Sequence, residues 1–190
     1  NCKMSKKILT VQDISCVGQC SLTVALPVIS ACGVETCVLP SAVLSTHTAG
    51  FSGYTFRDLT EDIPAIRQHW EKENITFNAI YTGYLGSARQ IDLVADMATR
   101  LCAPDFKLIV DPAMADHGKL YYGFDEAFAA KMAGLCGKAD IVLPNITEAA
   151  LMVGMPYRAA DYDEAYIREL MERLLALGAG TVVLTGVSYD

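Results

Sequence analysis

Short apolar runs alternate with helical patterns along most of the chain, and five of these runs end in small polar or acidic residues. Apolar runs of this length between helical segments are typical of an α/β fold with a parallel sheet. In such sheets a ligand binds outside the carboxyl ends of the strands. The pattern therefore predicts a binding site lined by the residues that follow these five runs: Gln12-Asp13, Thr82-Gly83, Asp111-Pro112, Pro144-Asn145 and Thr185-Gly186.

The same periodicity predicts the individual elements of the fold. The predicted strands cover residues 7–12, 35–39, 79–82, 107–111, 140–143 and 181–185. The predicted helices cover residues 21–32, 60–72, 87–101, 125–136, 145–153 and 163–177. Residues 40–58 and 112–124 show no regular pattern, and irregular segments of this length in compact domains are commonly functional.

Composition limits the class of protein. The chain has 190 residues, of which 52% are hydrophobic, so we expect one α/β domain over residues 1–190. A net charge of −7 argues against nucleic-acid binding through a basic face. No apolar stretch reaches membrane-spanning length, and seven scattered cysteines without a CxxC pair indicate a reduced, cytoplasmic protein. Met4 resembles a natural start, which would make residues 1–3 an artificial remnant.

Two common nucleotide-binding motifs are missing. A dinucleotide fingerprint requires three glycines directly after the first strand, where the sequence has only Gly18. The sequence Gly178-Ala-Gly180 precedes a strand instead of following one, and no GxxxxGK[ST] occurs. A Rossmann or Walker-type phosphate site is therefore not predicted.

Hard oxygen ligands gather at two of the strand ends. Asp111, Asn145 and Glu148 could coordinate magnesium or its bound waters, since Asn145 and Glu148 are three residues apart at a helix start and can face one cleft. A structural interpretation stays open, in which Asn145 or Thr147 caps the helix and Glu148 complements its dipole. His47, in the irregular segment 40–58, is similarly ambiguous, because a loop histidine can be catalytic but is more often structural or solvated.

Taken together and in order, five motifs resemble those of the pyridoxal/pyridoxamine kinases of the ribokinase-like superfamily, from about residue 6 onward. They are Val11-Gln12-Asp13 with Gly18, Ser45-Thr46-His47-Thr48, Thr82-Gly83-Tyr84-Leu85-Gly86-Ser87, Asp111-Pro112-Ala113-Met114 and Pro144-Asn145-Ile146-Thr147-Glu148. The resemblance implies an αβα sandwich with a mostly parallel central sheet. It also implies transfer of the ATP γ-phosphoryl group to the 5′-hydroxymethyl group of a vitamin B6 vitamer.

The resemblance also implies a role for each matching residue. Asp13, Thr48 and Tyr84 would line the vitamer pocket, and His47 would support its loop. A second group would organise the nucleotide: Asp111 and Glu148 for magnesium, Asn145 and Asp116 near the phosphates, and Thr185 and Gly186 beside the nucleotide. The implied cofactors are ATP, magnesium and a monovalent cation, and the implied assembly is a homodimer without a membrane or nucleic-acid partner.

The sequence departs from the family pattern in two places. Asp13 stands where many relatives carry serine, and we hypothesise that its carboxylate favours a cationic partner, either a protonated ring nitrogen or the aminomethyl group of pyridoxamine. The family's glycine-rich G-[TA]-G-D segment, whose aspartate is the expected base, does not occur within the 190 residues. We therefore expect a C-terminally truncated form with no catalytic base, which alone is a very poor kinase.

Two other functions remain open at this point. A hydroxymethylpyrimidine kinase shares the superfamily scaffold and also phosphorylates an aromatic hydroxymethyl substrate. A non-catalytic module that binds a vitamer or a nucleotide is the alternative from another class.

Overall fold

The computed structural model describes residues 6–189, so the predicted remnant at residues 1–3 lies outside the described residues. The chain divides into two compact units, Asn1–Lys107 and Leu108–Asp190, called here the first and second unit. One strand runs through the boundary. The expectation of a single domain over residues 1–190 stays a prediction.

The first unit is built on parallel strands with helices between them. Its elements are β1 (Lys7–Ser15), α1 (Leu22–Ala31), β2 (Glu35–Leu44), β3 (Phe56–Asp58), α2 (Ile63–Lys72), β4 (Phe77–Thr82), α3 (Ala88–Arg100) and the beginning of β5 (Cys102–Val110). The first four strands lie in the order β3-β2-β1-β4, in which β1 is parallel to β2 and β4, and β3 is antiparallel to β2.

The core of the first unit lies against β1. Leu9 and Val11 on β1, Leu39 on β2 and Ile80 on β4 are completely buried. Strands β2 and β4 are the two neighbours of β1 within the sheet. Helix α1 lies on the connection from β1 to β2, and α2 lies on the connection that leads to β4. Because parallel crossovers are right-handed, helices on these two connections cover opposite faces of the sheet.

The second unit continues the parallel pattern. It contains the end of β5, β6 (Ala115–Asp116), β7 (Lys119–Leu120), α4 (Glu126–Cys136), β8 (Ile141–Val142), α5 (Ile146–Val153), α6 (Glu164–Ala176) and β9 (Thr181–Val182). Strand β8 pairs in parallel with β5 and with β9, and α5 packs between α4 and α6. No helix among residues 6–189 combines the length and the hydropathy that a membrane crossing requires.

The glycines of Gly178-Ala-Gly180 have a packing role. Gly178 has φ +117°, and a Cβ at this position would overlap the carbonyl oxygen of Gly137. A Cβ on Gly180 would come within 2.8 Å of the carbonyl oxygen of Asp140. These glycines therefore allow the α6–β9 turn to lie directly on the α4–β8 turn, which agrees with the rejection of this sequence as a phosphate loop.

The predicted α/β fold with a mostly parallel sheet is confirmed, and each predicted helix and strand occurs. The two segments predicted to be irregular are more ordered than expected. Part of segment 40–58 continues β2 and forms β3, and segment 112–124 contains the β6–β7 hairpin. The hairpin turns at His117 and Gly118, both of which have positive φ. Asn-Gly is the usual sequence signal for such a turn, so a turn with histidine at the first position is not recognised from the sequence.

Candidate functional site

In the first unit, the candidate site residue Asp13 lies near the end of β1. The pairing of β1 with β2 changes register between Gln12 and Ile14, so Asp13 sits at a bulge, where a side chain is re-aimed. The residue is only 6% exposed, and Ser15 Oγ donates a 3.0 Å hydrogen bond to its Oδ2. Asp13 is therefore a buried carboxylate with a fixed orientation at the carboxyl end of the sheet.

Tyr84 follows the neighbouring strand β4 and lies close to Asp13. Burial raises the pKa of the Tyr84 phenol, and the negative charge of Asp13 raises it further, followed by Tyr54 and Asp58. The structure thus brings Asp13 and Tyr84 together, as expected for two residues of one pocket. Tyr54 and Asp58 were missed by the sequence analysis because they lie in the segment predicted to be irregular.

His47 packs against the loop after β1. Its backbone N–H donates to the carbonyl oxygen of Val17 at 3.0 Å, and its ring meets the edge of Phe51 at a centroid distance of 5.0 Å. Gly18 has φ +112°, and a Cβ there would overlap the His47 imidazole. His47 therefore joins two loops, while Thr48 next to it is exposed.

Two buried hydroxyl groups in the first unit lack a hydrogen-bond partner among the described residues. They are Thr46 Oγ1, beside His47, and Thr82 Oγ1, at the end of β4. Leaving a buried hydroxyl unsatisfied costs about 1–3 kcal/mol, so such groups call for an explanation. Their position in the two motifs that carry Thr48 and Tyr84 is consistent with a polar ligand or water that completes them.

In the second unit, Asn145 and Glu148 form a capping box at the start of α5. Asn145 Oδ1 accepts from the Glu148 N–H at 2.8 Å, and Glu148 Oε2 accepts from the Asn145 N–H at 2.9 Å. Asn145 Nδ2 also donates to the carbonyl oxygen of Ala115 at 2.9 Å. The structural interpretation of this pair is therefore confirmed, and both side chains are held in place by backbone groups.

Glu148 and Asp111 are carboxyl groups in a poorly solvated place. Burial raises the pKa of Glu148 to about 7, although backbone N–H donors from Asn145, Met114 and Ala115 oppose the shift. Burial likewise raises the pKa of Asp111 to about 6. The charge of Asp111 contributes to the shift at Glu148, so the structure brings these two predicted residues together.

These two carboxyl groups fit a magnesium ion that is bound through water. A nearby cation would stabilise both ionised forms, which burial disfavours. Glu148 already accepts N–H groups at both oxygens, from Met114 at 3.1 Å and from Asn145, so a water-bridged contact suits it better than direct coordination. Among residues 6–189, no group of three or more His, Cys, Asp or Glu side chains could hold a metal ion by itself.

The β6–β7 hairpin brings further groups to Asp111 and Glu148. The Gly118 N–H donates to Thr147 Oγ1 at 3.0 Å, which attaches the hairpin tip to α5. Burial raises the pKa of the Tyr121 phenol, and the negative charges of Glu148, Asp116 and Asp111 raise it further. The phenol therefore lies near these three carboxylates. The sequence did not predict Tyr121 as a site residue, because segment 112–124 has no periodicity that distinguishes Tyr121 from the adjacent Tyr122. Asp116 itself is exposed.

Thr185 and Gly186 lie beside the start of α5. Thr185 forms an isolated parallel bridge with Asn145, and its N–H donates to the carbonyl oxygen of Pro144 at 2.9 Å. Gly186 is exposed and has φ +70°. Asn145, Glu148, Asp111 and Thr185 therefore share one end of the second unit.

A family model decides the relationship of this chain. The model of phosphomethylpyrimidine kinase matches residues 24–190. The chain belongs to this family. The resemblance to B6 kinases of the ribokinase-like superfamily is confirmed as well. Pyridoxal kinases occur both among the curated relatives of this chain and among the solved structures that are similar to it.

Two solved structures are similar over almost the whole chain. A Bacteroides thetaiotaomicron phosphomethylpyrimidine kinase homologue, crystallised with pyridoxal, is 41% identical with a TM-score of 0.91 and matches 97% of this chain and 64% of its own. Pyridoxal kinase from Lactobacillus plantarum is 34% identical with a TM-score of 0.88 and matches 97% of this chain and 65% of its own.

A curated relative represents the second activity. The hydroxymethylpyrimidine/phosphomethylpyrimidine kinase of Rhizobium meliloti is 27% identical over 169 residues, which are 89% of this chain and 60% of the relative. The chain spans 51–62% of the length of the first curated relatives that it matches.

Proposed function

We propose that this protein at its natural length phosphorylates the 5′-hydroxymethyl group of pyridoxamine and pyridoxal with ATP, and that residues 1–190 alone do so very poorly because the expected base does not occur among them. The observation that carries the proposal is the buried Asp13 carboxylate beside Tyr84 at the end of β1 and β4. A fixed carboxylate next to a phenol suits an aromatic ligand with a cationic group. The similarity to a homologue that was crystallised with pyridoxal supports the same ligand class.

The second unit would hold the nucleotide. Asp111 and Glu148 would hold magnesium through water, and the ion would supply charge neutralisation at the ATP phosphates. Asn145, held in place by the cap of α5, would lie next to the phosphates, with Asp116 on the neighbouring hairpin. Thr185 and Gly186 would lie beside the nucleotide because Thr185 forms an isolated parallel bridge with Asn145.

The remaining expectations are part of the same proposal. His47 would hold the loop that carries Thr48 to the vitamer, as its contacts with Val17 and Phe51 suggest. The unpaired hydroxyls of Thr46 and Thr82 would receive partners when a polar ligand or water enters. A monovalent cation, a homodimer and a cytoplasmic location complete the proposal.

Hydroxymethylpyrimidine kinase is the second candidate. The matching family model and the Rhizobium meliloti relative favour it directly. Both candidates use ATP, magnesium and an aromatic hydroxymethyl acceptor, so they differ only in the ring that the first unit binds. A module that binds a ligand without turnover is the remaining alternative.

Product formation tests the proposal. The protein at its natural length is incubated with ATP, magnesium and pyridoxamine, pyridoxal or hydroxymethylpyrimidine, and the phosphorylated products are identified by mass spectrometry. We expect B6 5′-phosphates and expect Asp111→Asn to reduce their formation at least about tenfold. Binding of a vitamer in isothermal titration without any product would support the non-catalytic module instead.

A further inference from the structure

A buried polar network lies directly behind the turn that carries Tyr84. Its centre is Gln90 on the first turn of α3, whose side chain is completely buried. Ser41 on β2 is also completely buried, and Thr60, before α2, is 6% exposed. Three elements of the first unit therefore contribute polar groups to one place in its interior.

The Gln90 amide uses its acceptor and its donors at the same time. Its Oε1 accepts from the Gly86 N–H at 2.7 Å. Its Nε2 donates to the carbonyl oxygen of Ser41 at 3.0 Å and to Thr60 Oγ1 at 2.9 Å. An amide is the side chain that can do both, because a carboxylate lacks donors and an apolar group lacks both functions.

The network holds the Tyr84 turn at successive points. Ser41 Oγ donates to the carbonyl oxygen of Tyr84 at 3.0 Å, and Gln90 accepts from Gly86 two residues later. Before the tyrosine, the Gly83 N–H donates to the carbonyl oxygen of Val11 on β1 at 2.9 Å. The backbone on both sides of Tyr84 is thus tied to the sheet or to Gln90.

We infer that Gln90 is a positioning residue that sets the vitamer affinity through Tyr84. This inference rests on the proposed function for its ligand, but its geometry does not. Gln90 is fully buried, so it acts by fixing the turn and not by touching the substrate. Replacement of the amide leaves the Gly86 N–H and Thr60 Oγ1 without this partner and releases the turn. The Ser41 carbonyl oxygen keeps a second bond, from the Leu59 N–H at 3.1 Å.

A double-mutant cycle on the protein at its natural length tests the inference. Gln90→Met keeps the length of the side chain and removes its three hydrogen bonds. We expect it to raise KM for pyridoxamine about tenfold while KM for ATP stays within about twofold. In a Tyr84→Ala background the same change should alter KM for pyridoxamine less than about twofold, because no phenol remains to be positioned.

Val94→Ala is the matched control. Val94 is completely buried on the same helix, one turn further along, and has no hydrogen bond to the Tyr84 turn. Hydrogen–deuterium exchange should show faster exchange in peptides covering residues 83–87 for Gln90→Met but not for Val94→Ala. If both variants loosen the turn equally, or if the effects of Gln90→Met and Tyr84→Ala on KM multiply, Gln90 has only a general structural role.

The two failures can be told apart. A wild-type protein that forms no B6 phosphate contradicts the proposed function. The exchange experiment needs no ligand, so it still supports or overturns the role of Gln90 in holding the turn.

Discussion

At the scale of single residues, Asp13 is a buried carboxylate near the carboxyl end of β1. Its carboxylate is 6% exposed and receives one hydrogen bond from Ser15. A buried carboxylate favours a cationic partner because charge and hydrogen bonding offset the cost of burial. Under the proposed function, we therefore expect this position to influence which vitamer binds best.

Replacing Asp13 with serine should change the choice of substrate. We expect Asp13→Ser to lower the ratio of kcat/KM for pyridoxamine to kcat/KM for pyridoxal about tenfold, since the cationic aminomethyl group loses its counter-charge. Asp13→Asn is the control, because it keeps the shape and removes only the charge. A ratio that is the same in wild type and both variants would contradict the hypothesis.

Glu148 predicts a pH dependence of stability. Its folded pKa of about 7 lies above its ordinary value of 4.5, so the folded state binds the proton more tightly than the unfolded state. Stability from this group is therefore present at low pH and is lost as pH rises from about 4.5 to about 7. Asp111, with a pKa raised to about 6, acts in the same direction.

Thermal melting without magnesium tests this account. We expect Tm to fall by about 4 °C between pH 5 and pH 7.5, and expect Glu148→Gln to reduce that fall. Glu164→Gln, which alters an exposed carboxylate on α6, is the control and should leave the fall unchanged. A wild-type Tm that rises over this range, or a fall that Glu148→Gln leaves intact, would contradict it.

At the scale of elements, the cap of α5 and the β6–β7 hairpin hold the candidate residues of the second unit, Asp111, Asn145 and Glu148, in one place. The capping box fixes Asn145 and Glu148, and the bond from Asn145 Nδ2 to Ala115 connects the same cap to the hairpin. The hairpin tip is attached to α5 by the bond from Gly118 to Thr147. The hairpin and the helix start are therefore one connected structure.

The hairpin tip depends on glycine. Gly118 has φ +77°, and a Cβ there would lie 2.6 Å from the Tyr157 ring. Gly123, at φ +88°, has open space around it and is the matched control. We expect Gly118→Ala to destabilise the protein by about 2 kcal/mol and Gly123→Ala by about 1 kcal/mol in urea unfolding. Equal losses would contradict the tight fit against Tyr157.

Periodicity was sufficient to predict the helices and six of the nine strands described among residues 6–189, but not β3, β6 and β7 or the polar contacts behind the site. Each helix was found within a few residues of its bounds because its buried face repeats along the chain. Segment 40–58 was predicted to be irregular because the continuation of β2 through Pro40 and Ser41 and the short β3 have no simple alternation. Gln90 was missed because a glutamine on an amphipathic helix is usually exposed.

Sequence patterns also indicated which strand ends carry the candidate residues. The cap at Asn145 and Glu148 was one of two interpretations, and only its hydrogen bonds revealed that backbone groups occupy both side chains. The closeness of Tyr121 to Asp111 and Glu148 depends on the path of the hairpin, which no local signal records. These hydrogen bonds and the position of Tyr121 depend on tertiary structure, so residue type and spacing could not predict them.

At the scale of the whole molecule, the family relationship supports the proposed small-molecule kinase activity, as do the residues around Asp13 and around Glu148. The net charge of −7 raises no obstacle to phosphate binding, because a cation and backbone N–H groups act locally. The family includes relatives of both B6 and hydroxymethylpyrimidine type, so the fold alone leaves the acceptor ring open. The proposed function assigns the choice of the B6 ring to the residues around Asp13 and Tyr84.

The most direct test is therefore a comparison of acceptors in the protein at its natural length. With saturating ATP and magnesium, kcat/KM is measured for pyridoxamine, pyridoxal and hydroxymethylpyrimidine. The account predicts that the better B6 vitamer exceeds hydroxymethylpyrimidine by at least about tenfold. A preference for hydroxymethylpyrimidine, or the absence of ATP-dependent phosphorylation of any B6 vitamer, would contradict it.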